Sequence, residues 1–498
     1  MTNMPATTNS GVVLLGHSQS GNLTFSGWFF QGILTDCRGR GLLYLALDSV
    51  VTSSRRWLIV VVWIASWLSD HHSLYAHDYL HGTLADELLA DQFGLVREWI
   101  IQVPFESTTY RLEHVVVADG IVIAQSGDGG VHAVRTSTTH AAGESHDESH
   151  ATHSHRPGTL LWSHRIGKPG GPVEAAGVGT TLVAVARDID LYGLERSTGE
   201  TRWHDRFQHI PVAGAMPSGN WVYAPLDAGG VIRLPVDPHR HLTVRSAAQT
   251  PAQAENNKKK SAKAPQKKVA DKQAEESLAP IAMNSGGHID LAPVALADGI
   301  LWCTTDGLLV AIEPSLNGWE RSELMLRHAP AGPPLVRGTS IYVTTARGDG
   351  GELKRIDLLK TGGNGLELQW QAALAGPPDP SIFLSGDTLV ISLGERGIAA
   401  YSAQHGGFMW QTTVAGKILA VSSNRVWCID RTGRLSGLDL VDGSRRERIS
   451  LGGLSLPVVN TTSDSLLLAS ADGLLVSLAP RRAPPAVKTP PASPAKQK

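Results

Sequence analysis

The sequence predicts an all-β fold: an eight-bladed β-propeller of four-stranded antiparallel blades, closed by an N-terminal strand. Three observations predict it. From Val115 to Ala479 one pattern returns roughly every 40 residues: apolar strand, turn, second strand, Asp-Gly or its equivalent, third strand, then Gly and Trp. Eight copies can be laid out. The last copy lacks its closing Trp strand, whereas VREWIIQVP (Val96–Pro104) lies upstream of the first copy as a Trp-bearing strand without a blade. If that strand completes the eighth blade, the ring closes and no open array of strand edges is left exposed. Trp99 is then expected in the same sheet as Leu474–Leu478.

Composition is compatible with one large repeat domain. Hydrophobic residues make up 42%, enough for a sizeable core, and 44 basic against 46 acidic residues give no global field for nucleic acid or membrane. The 52 glycines suit a chain dense in tight turns. Three cysteines (Cys37, Cys303 and Cys428) are too few for a disulfide framework. Cys303 and Cys428 fall at matching strand positions of separate repeats and read as small buried hydrophobes.

Residues 1–50 share nothing with the repeat and read as a mis-assigned or disordered leader. Arg55-Arg56, the uncharged run Trp57–Leu68 and then Leu74-Tyr75-Ala76 follow the order of a secretory signal, so 51–76 is assigned as a signal peptide. The run is short for a membrane span, which needs about 20 apolar residues. Its position implies a translation start near Val50 or Val51; the alternative is an uncleaved anchor behind a cytoplasmic leader. Residues 77–96 form a short helix and linker. Thr83–Phe93 places Leu84, Leu88 and Leu89 on one face, with Thr83 and Asp86 as caps and Gly94 as the stop.

The propeller occupies 97–480. Its copies are Val115–Trp162, Val173–Trp203, Val212–Pro238, Pro293–Leu326, Pro333–Trp370, a sixth ending at Trp410, Ile418–Leu451 and Leu456–Ala479. Asp-Gly at Asp128-Gly129, Asp306-Gly307 and Asp472-Gly473 suits hairpins that need positive φ. Trp162, Trp203, Trp370 and Trp410 recur just after a Gly-bearing turn, where a large ring fills the space between blades. The seventh copy has Glu447 in place of Trp, and the fourth has Trp319 early, so these two blades are expected to pack less regularly.

Two insertions interrupt the ring. The first, 136–157, is a Ser/Thr-rich stretch with His140, His146, His150, His153 and His155, whose spacing fits no fixed tetrahedral metal site. The second, 238–285, is Lys-rich and reads as a solvated excursion. The tail 481–498 is Pro-rich and basic, hence extended and unpacked.

Leu191–Trp203 (LYGLERSTGETRW) and Ile398–Trp410 carry a further signature: a Leu/Tyr-Ala-Leu-Asp-type strand, Thr-Gly, then Trp three or four residues on. This resembles the pyrroloquinoline-quinone (PQQ) propeller repeat. The resemblance implies either a quinone-dependent alcohol dehydrogenase or a non-enzymatic, protein-binding relative of the BamB type. The dehydrogenase branch uses calcium, an Asp base and commonly an adjacent Cys-Cys pair. This chain has no such pair, and the candidate carboxylates Asp188, Asp190, Asp349 and Asp430 sit in or beside turns, where Asp is common for local reasons. The non-enzymatic branch is therefore expected: a monomeric scaffold, exported to the periplasm or cell envelope and peripheral to membrane at most. It would bind a protein partner and no nucleic acid. No catalytic, cofactor-binding or metal residue and no cofactor are assigned. His77 and Asp78 follow the signal where a BamB-type protein carries its lipid-anchoring cysteine, so that specific machine is not implied. The alternatives are the quinone dehydrogenase and a metal-binding envelope protein acting through the His-rich loop.

Overall fold

A computed structural model describes residues 34–35, 41–42, 86–136, 156–237, 281–297, 299–315, 318–359 and 365–481. The signal-like segment, most of the His-rich and Lys-rich insertions, the Pro-rich tail and Cys37 lie outside these described residues. The chain divides into two compact units, 1–75 and 76–498. In the first, Leu34–Thr35 pairs with Gly41–Leu42. Among the described residues, no helix is long and apolar enough to cross a membrane.

The second unit is an eight-bladed propeller of four-stranded antiparallel sheets, blades one to seven in simple sequence order. Blades one to seven begin at Leu112, Gly177, Met216, Val294, Leu335, Ile382 and Gly416. Blade eight takes Leu456–Pro457, Leu466–Ala469 and Leu474–Pro480 from the C-terminal end, and its fourth strand is Leu95–Gln102. Trp99 stands opposite Ser477, so the predicted closure is present.

The sequence dictates this arrangement by alternation. Second and third strands are buried on both faces, as in Ile121–Ser126 and Leu182–Arg187, because each face meets a neighbouring blade. The result is eight separate apolar clusters, one at each seam. Leu182, Leu191 and Trp203 of blade two meet Val222 and Leu234 of blade three, for example. Trp99 and Leu475 of blade eight likewise meet Val122 and Val134 of blade one.

Tryptophan organises several seams in a repeated way. Trp162, Trp203 and Trp410 donate Nε1–H to the carbonyls of Arg196, Val236 and Leu440 in the next blade, at 2.8, 3.1 and 2.8 Å. The rings of Trp99, Trp162, Trp370 and Trp410 cover Gly158, Gly199, Gly406 and Gly443, each in the following blade. A Cβ at any of these glycines would fall 2.4–2.6 Å from the nearest atom of its tryptophan, and each has φ between +70° and +77°. Glycine is required there twice over: for the left-handed backbone and for the close approach.

Blades four and seven differ from expectation in an informative way. Strands three and four slip register by one residue opposite Trp162, Trp203, Trp370 and Trp410. Blade seven keeps the same bulge, with Glu447 facing Gly437. The seam beside it is filled by Trp427 from the second strand, fully buried against blade eight. Blade four has an uninterrupted ladder, Leu308–Ser315 with Gly318–Met325, and is thus more regular in pairing. Its Trp319 faces back to blade three, where Arg233 lies between Trp221 (4.1 Å) and Trp319 (4.4 Å).

Two further readings are corrected. The helix runs Glu87–Gln92 with Asp86 as its cap, accepting from the Leu88 N–H. Its buried residue is Ala90, whereas Leu88 is exposed; a helix this short packs by its small residue at the start of the closing strand. Ile281–Asn284, read as part of the Lys-rich excursion, is the fourth strand of blade three, pairing with Gly230–Arg233. Four short residues (IAMN) without a Trp gave too weak a strand signal.

Candidate interaction faces of the ring

Antiparallel blades give the ring two chemically distinct ends. Turns between strands one and two, and between three and four, lie at one end. Turns between strands two and three, and the connectors from blade to blade, lie at the other. Both long insertions join a third strand to a fourth: Arg135 to Leu160 in blade one and Pro235 to Ile281 in blade three. Leu474–Pro480 runs outward from its hairpin toward the same end, and Leu95 starts there. The insertions and both ends of the propeller segment therefore depart from a single excursion end. The opposite, hairpin end is built from the hairpins between second and third strands and from the blade-to-blade connectors.

Exposed apolar side chains follow the same division. Among the described residues, Trp319, Leu359 and Leu368 lie at the excursion end of blades four and five, and Phe408, Met409 and Val441 at that of blades six and seven. Leu88 and Val96 add to it at blade eight. Only Ile210 and Met325, of the large hydrophobic residues exposed among those described, lie at the hairpin end.

At the excursion end lies the Asn460–Ser465 loop, between the first and second strands of blade eight. Buried Asn460 fixes it: Nδ2 donates to Ser463 Oγ and the Ser465 carbonyl, both at 2.7 Å, while Oδ1 accepts from the N–H groups of Thr462 and Ser463. The Asn460 N–H donates to the Leu419 carbonyl of blade seven at 2.7 Å. Arg337, from blade five across the ring, donates to the Thr461 carbonyl at 3.4 Å. Polar cavities of about 200 and 280 Å³ flank this loop.

The hairpin end is charged and held by bonds that cross the seams. Arg187 of blade two donates to the Gly127 carbonyl of blade one at 3.2 Å, and Gln125 exchanges hydrogen bonds with the backbone at Glu174 and Ala176. Arg431 of blade seven pairs with Glu395 of blade six. Lys354 of blade five, almost fully buried, donates to the Leu326 carbonyl at 2.7 Å and pairs with Glu352. Between blades six and eight a cavity of about 300 Å³ is lined by Asp379, Lys417, Asp430 and Arg431.

The four carboxylates named from sequence all sit at this end, and the structure does not gather them. Asp188 occupies its turn with φ +53°. Asp190 is held by Arg206 at 2.8 and 2.9 Å and by His204; the Arg206 hydrogen bonds keep its carboxyl below the usual range against the effect of burial. Asp349 lies in the exposed Arg347–Gly350 hairpin. Asp430 closes its own turn, accepting from the Thr432 N–H and hydroxyl, the Arg434 N–H and Arg448. Burial alone would raise this carboxyl, but those bonds prevail and hold it at about 2. Among the described residues, no three His, Cys, Asp or Glu side chains converge to hold a metal. Cys303 and Cys428 are unpaired and buried, and burial pushes both thiols up to about 12. Sequence reasoning missed the buried His132, whose Nδ1 lies 2.8 Å from Ser163 Oγ beside Asp128. Burial lowers it to about 4. Alternation in GVHAVR was its only signal.

Residues 349–482 match the protein-family model described as outer membrane protein assembly factor BamB. The fold is similar to the crystal structure of BamB from Moraxella catarrhalis, with a TM-score of 0.53 at 15% identity, covering 77% of this chain and 97% of that one. The chain has the eight-bladed β-propeller fold, and its last third resembles the BamB family. The computationally designed Ika8 protein is similar at a TM-score of 0.49 and 13% identity over 76% of this chain and 98% of its own. The C-terminal WD40 domain of Sif2 is similar at 0.46 and 8%, over 77% and 99%. No curated protein matches the sequence. What the propeller offers chemically is a ring with ion pairs at both ends and, among the described residues, exposed apolar groups mostly at the excursion end.

Proposed function

We propose that this PQQ-like propeller is a non-enzymatic protein-interaction scaffold of the cell envelope, exported by the 51–76 segment, and that a protein partner docks on its hairpin end. The observation that carries the reading is the cross-seam bonding of that end. Arg187 on Gly127, Arg431 on Glu395 and Lys354 on Leu326 fix charged turns of different blades relative to one another before any partner arrives. Preorganisation of this kind lowers the ordering cost of binding, and complementary charge selects the partner. Of the four candidate carboxylates, Asp190 is engaged by a guanidinium group and Asp430 by a guanidinium and local N–H groups, which supports a binding role for this end. The match to an outer-membrane assembly factor supports the envelope and protein-binding parts of the reading.

The test compares partner recovery from envelope extract by three forms of the chain: wild type, Arg347→Glu with Arg431→Glu, and Phe408→Ser with Val441→Ser. Both arginines are exposed at the hairpin end. Recovery is expected to fall at least ten-fold only for the arginine pair. Equal recovery by that variant, or alcohol-dependent dye reduction on adding quinone and calcium, overturns the proposal.

A further inference from the structure

The cavity at the hairpin end of blades six to eight has a defined chemistry. Its wall is formed by Asp379, Lys417, Ile429, Asp430, Arg431 and Pro457, around about 300 Å³ of space. Gly394 and Gly416 complete the wall with backbone alone. A Cβ at Gly416 would lie 2.4 Å from the Ile429 carbonyl oxygen, so strand pairing keeps a side chain out of that position. The charges on the wall are unequally satisfied. Asp430 Oδ1 accepts from the Thr432 N–H and hydroxyl and from the Arg434 N–H, and its Oδ2 accepts from Arg448. Asp379 accepts from the Ser392 hydroxyl. Lys417, in contrast, is exposed and makes no ion pair or side-chain hydrogen bond among the described residues. Arg431 pairs with Glu395, and the two side chains are 63% and 68% exposed. An ion pair so exposed is weak and exchanges partners readily. What the cavity leaves unsatisfied is positive charge beside apolar surface.

We infer that the partner presents an acidic segment to this cavity: an aliphatic or aromatic side chain enters against Ile429 and Pro457, and flanking carboxylates meet Lys417 and Arg431. This rests on the hairpin-end docking proposed above and names the chemistry of the segment that docks. An apolar anchor in a concave site, with complementary charge at the rim, supplies affinity and selection together. A basic segment would face Lys417 unopposed, because both acids on the wall are already engaged.

The experiment titrates the purified full chain into fluorescein-labelled, end-capped pentapeptides and reads anisotropy. One peptide has a central leucine flanked by glutamates, the second a central glycine flanked by glutamates, and the third a central leucine flanked by lysines. The leucine–glutamate peptide is expected to bind about five-fold or more tightly than the glycine peptide, through burial of its side chain. It should exceed the lysine peptide by about ten-fold or more. Lys417→Glu should weaken it by about ten-fold or more, and Lys417→Gln in the same direction. Lys168→Glu makes the same charge change in the connector from blade one to blade two and should leave binding unchanged. Equal binding of the lysine peptide, equal losses at 417 and 168, or no saturable binding of the leucine–glutamate peptide by about 1 mM overturns the inference. In envelope extract, Lys417→Glu should lower partner recovery as the arginine pair does. Recovery that survives Lys417→Glu but falls with the arginine pair overturns this inference and leaves the scaffold reading standing. Peptide binding as expected, with full recovery by the arginine pair, overturns the scaffold reading instead.

Discussion

Trp410→Phe and Trp99→Phe form a matched pair that tests how the seams are held. Both indoles are buried, at 7% and 5% exposure, and both cover a left-handed glycine of the next blade, Gly443 and Gly158. Shrinking either ring to phenyl leaves a similar void, costing about 1–2 kcal/mol. The two differ in one bond. Trp410 Nε1 donates to the Leu440 carbonyl at 2.8 Å, in a residue itself 7% exposed, whereas Trp99 Nε1 is buried without a partner. Removing the first donor strands a buried carbonyl, costing about 1–3 kcal/mol more; removing the second strands nothing. Trp410→Phe should therefore be the more destabilising by about 1–3 kcal/mol, read from urea unfolding followed by circular dichroism. Equal costs, or a greater cost for Trp99→Phe, would refute the view that the indole N–H anchors one blade to the next.

Three further outcomes follow from the same geometry. Gly199→Ala places a methyl 2.4 Å from the Trp162 ring at φ +74°, whereas Gly219→Ala has positive φ but open space. The first should cost at least about 2 kcal/mol more in the same unfolding assay, because only it displaces a seam tryptophan. His132 is held neutral by burial, which lowers it from 6.5 to about 4. Between those values the unfolded chain takes a proton that the folded chain refuses, so stability falls as pH drops through this window, by about 3 kcal/mol at most. His132→Gln should remove that component; a pH profile identical to wild type would exclude His132 as its source. Asp430 runs to lower pH. Its carboxyl sits at about 2, so its contribution is present above its ordinary value of 3.8 and fades as pH falls toward 2. Asp430→Asn should flatten stability between those values, measured as the change in thermal midpoint.

How far the sequence reaches depends on how local each cause is. The closing strand was legible because Trp99 lacked a blade and Leu474–Leu478 lacked a partner, two gaps of matching kind. The glycines under the tryptophans were legible as turn glycines between the third and fourth strands, since their positive φ is a local demand. The fate of Glu447 was not. Trp427, two positions into another strand, fills the seam instead, and only three-dimensional packing reveals that substitution. Arg233 between two indoles and Arg337 reaching Thr461 across the ring are equally invisible in a linear pattern, because Trp319 and Thr461 come from other blades. The division between the ends rests on parity. Once Ile281–Asn284 is recognised as a fourth strand, both insertions fall between strands three and four, and so on the same side. That weak strand hid the relationship at the sequence level. The candidate face itself was not legible: Asp188, Asp190, Asp349 and Asp430 were visible as turn residues, but not the cross-seam bonds that set the surrounding turns against one another.

The account claims that a protein partner meets the hairpin end of the ring, and photo-crosslinking in intact cells tests this most directly. A photoreactive residue is placed at Asp227 or Asp349 on the hairpin end, and at Leu359 or Val441 on the excursion end, all of them exposed. Discrete protein adducts are predicted from 227 and 349, and none from 359 and 441. Protein adducts confined to 359 and 441 would contradict the account.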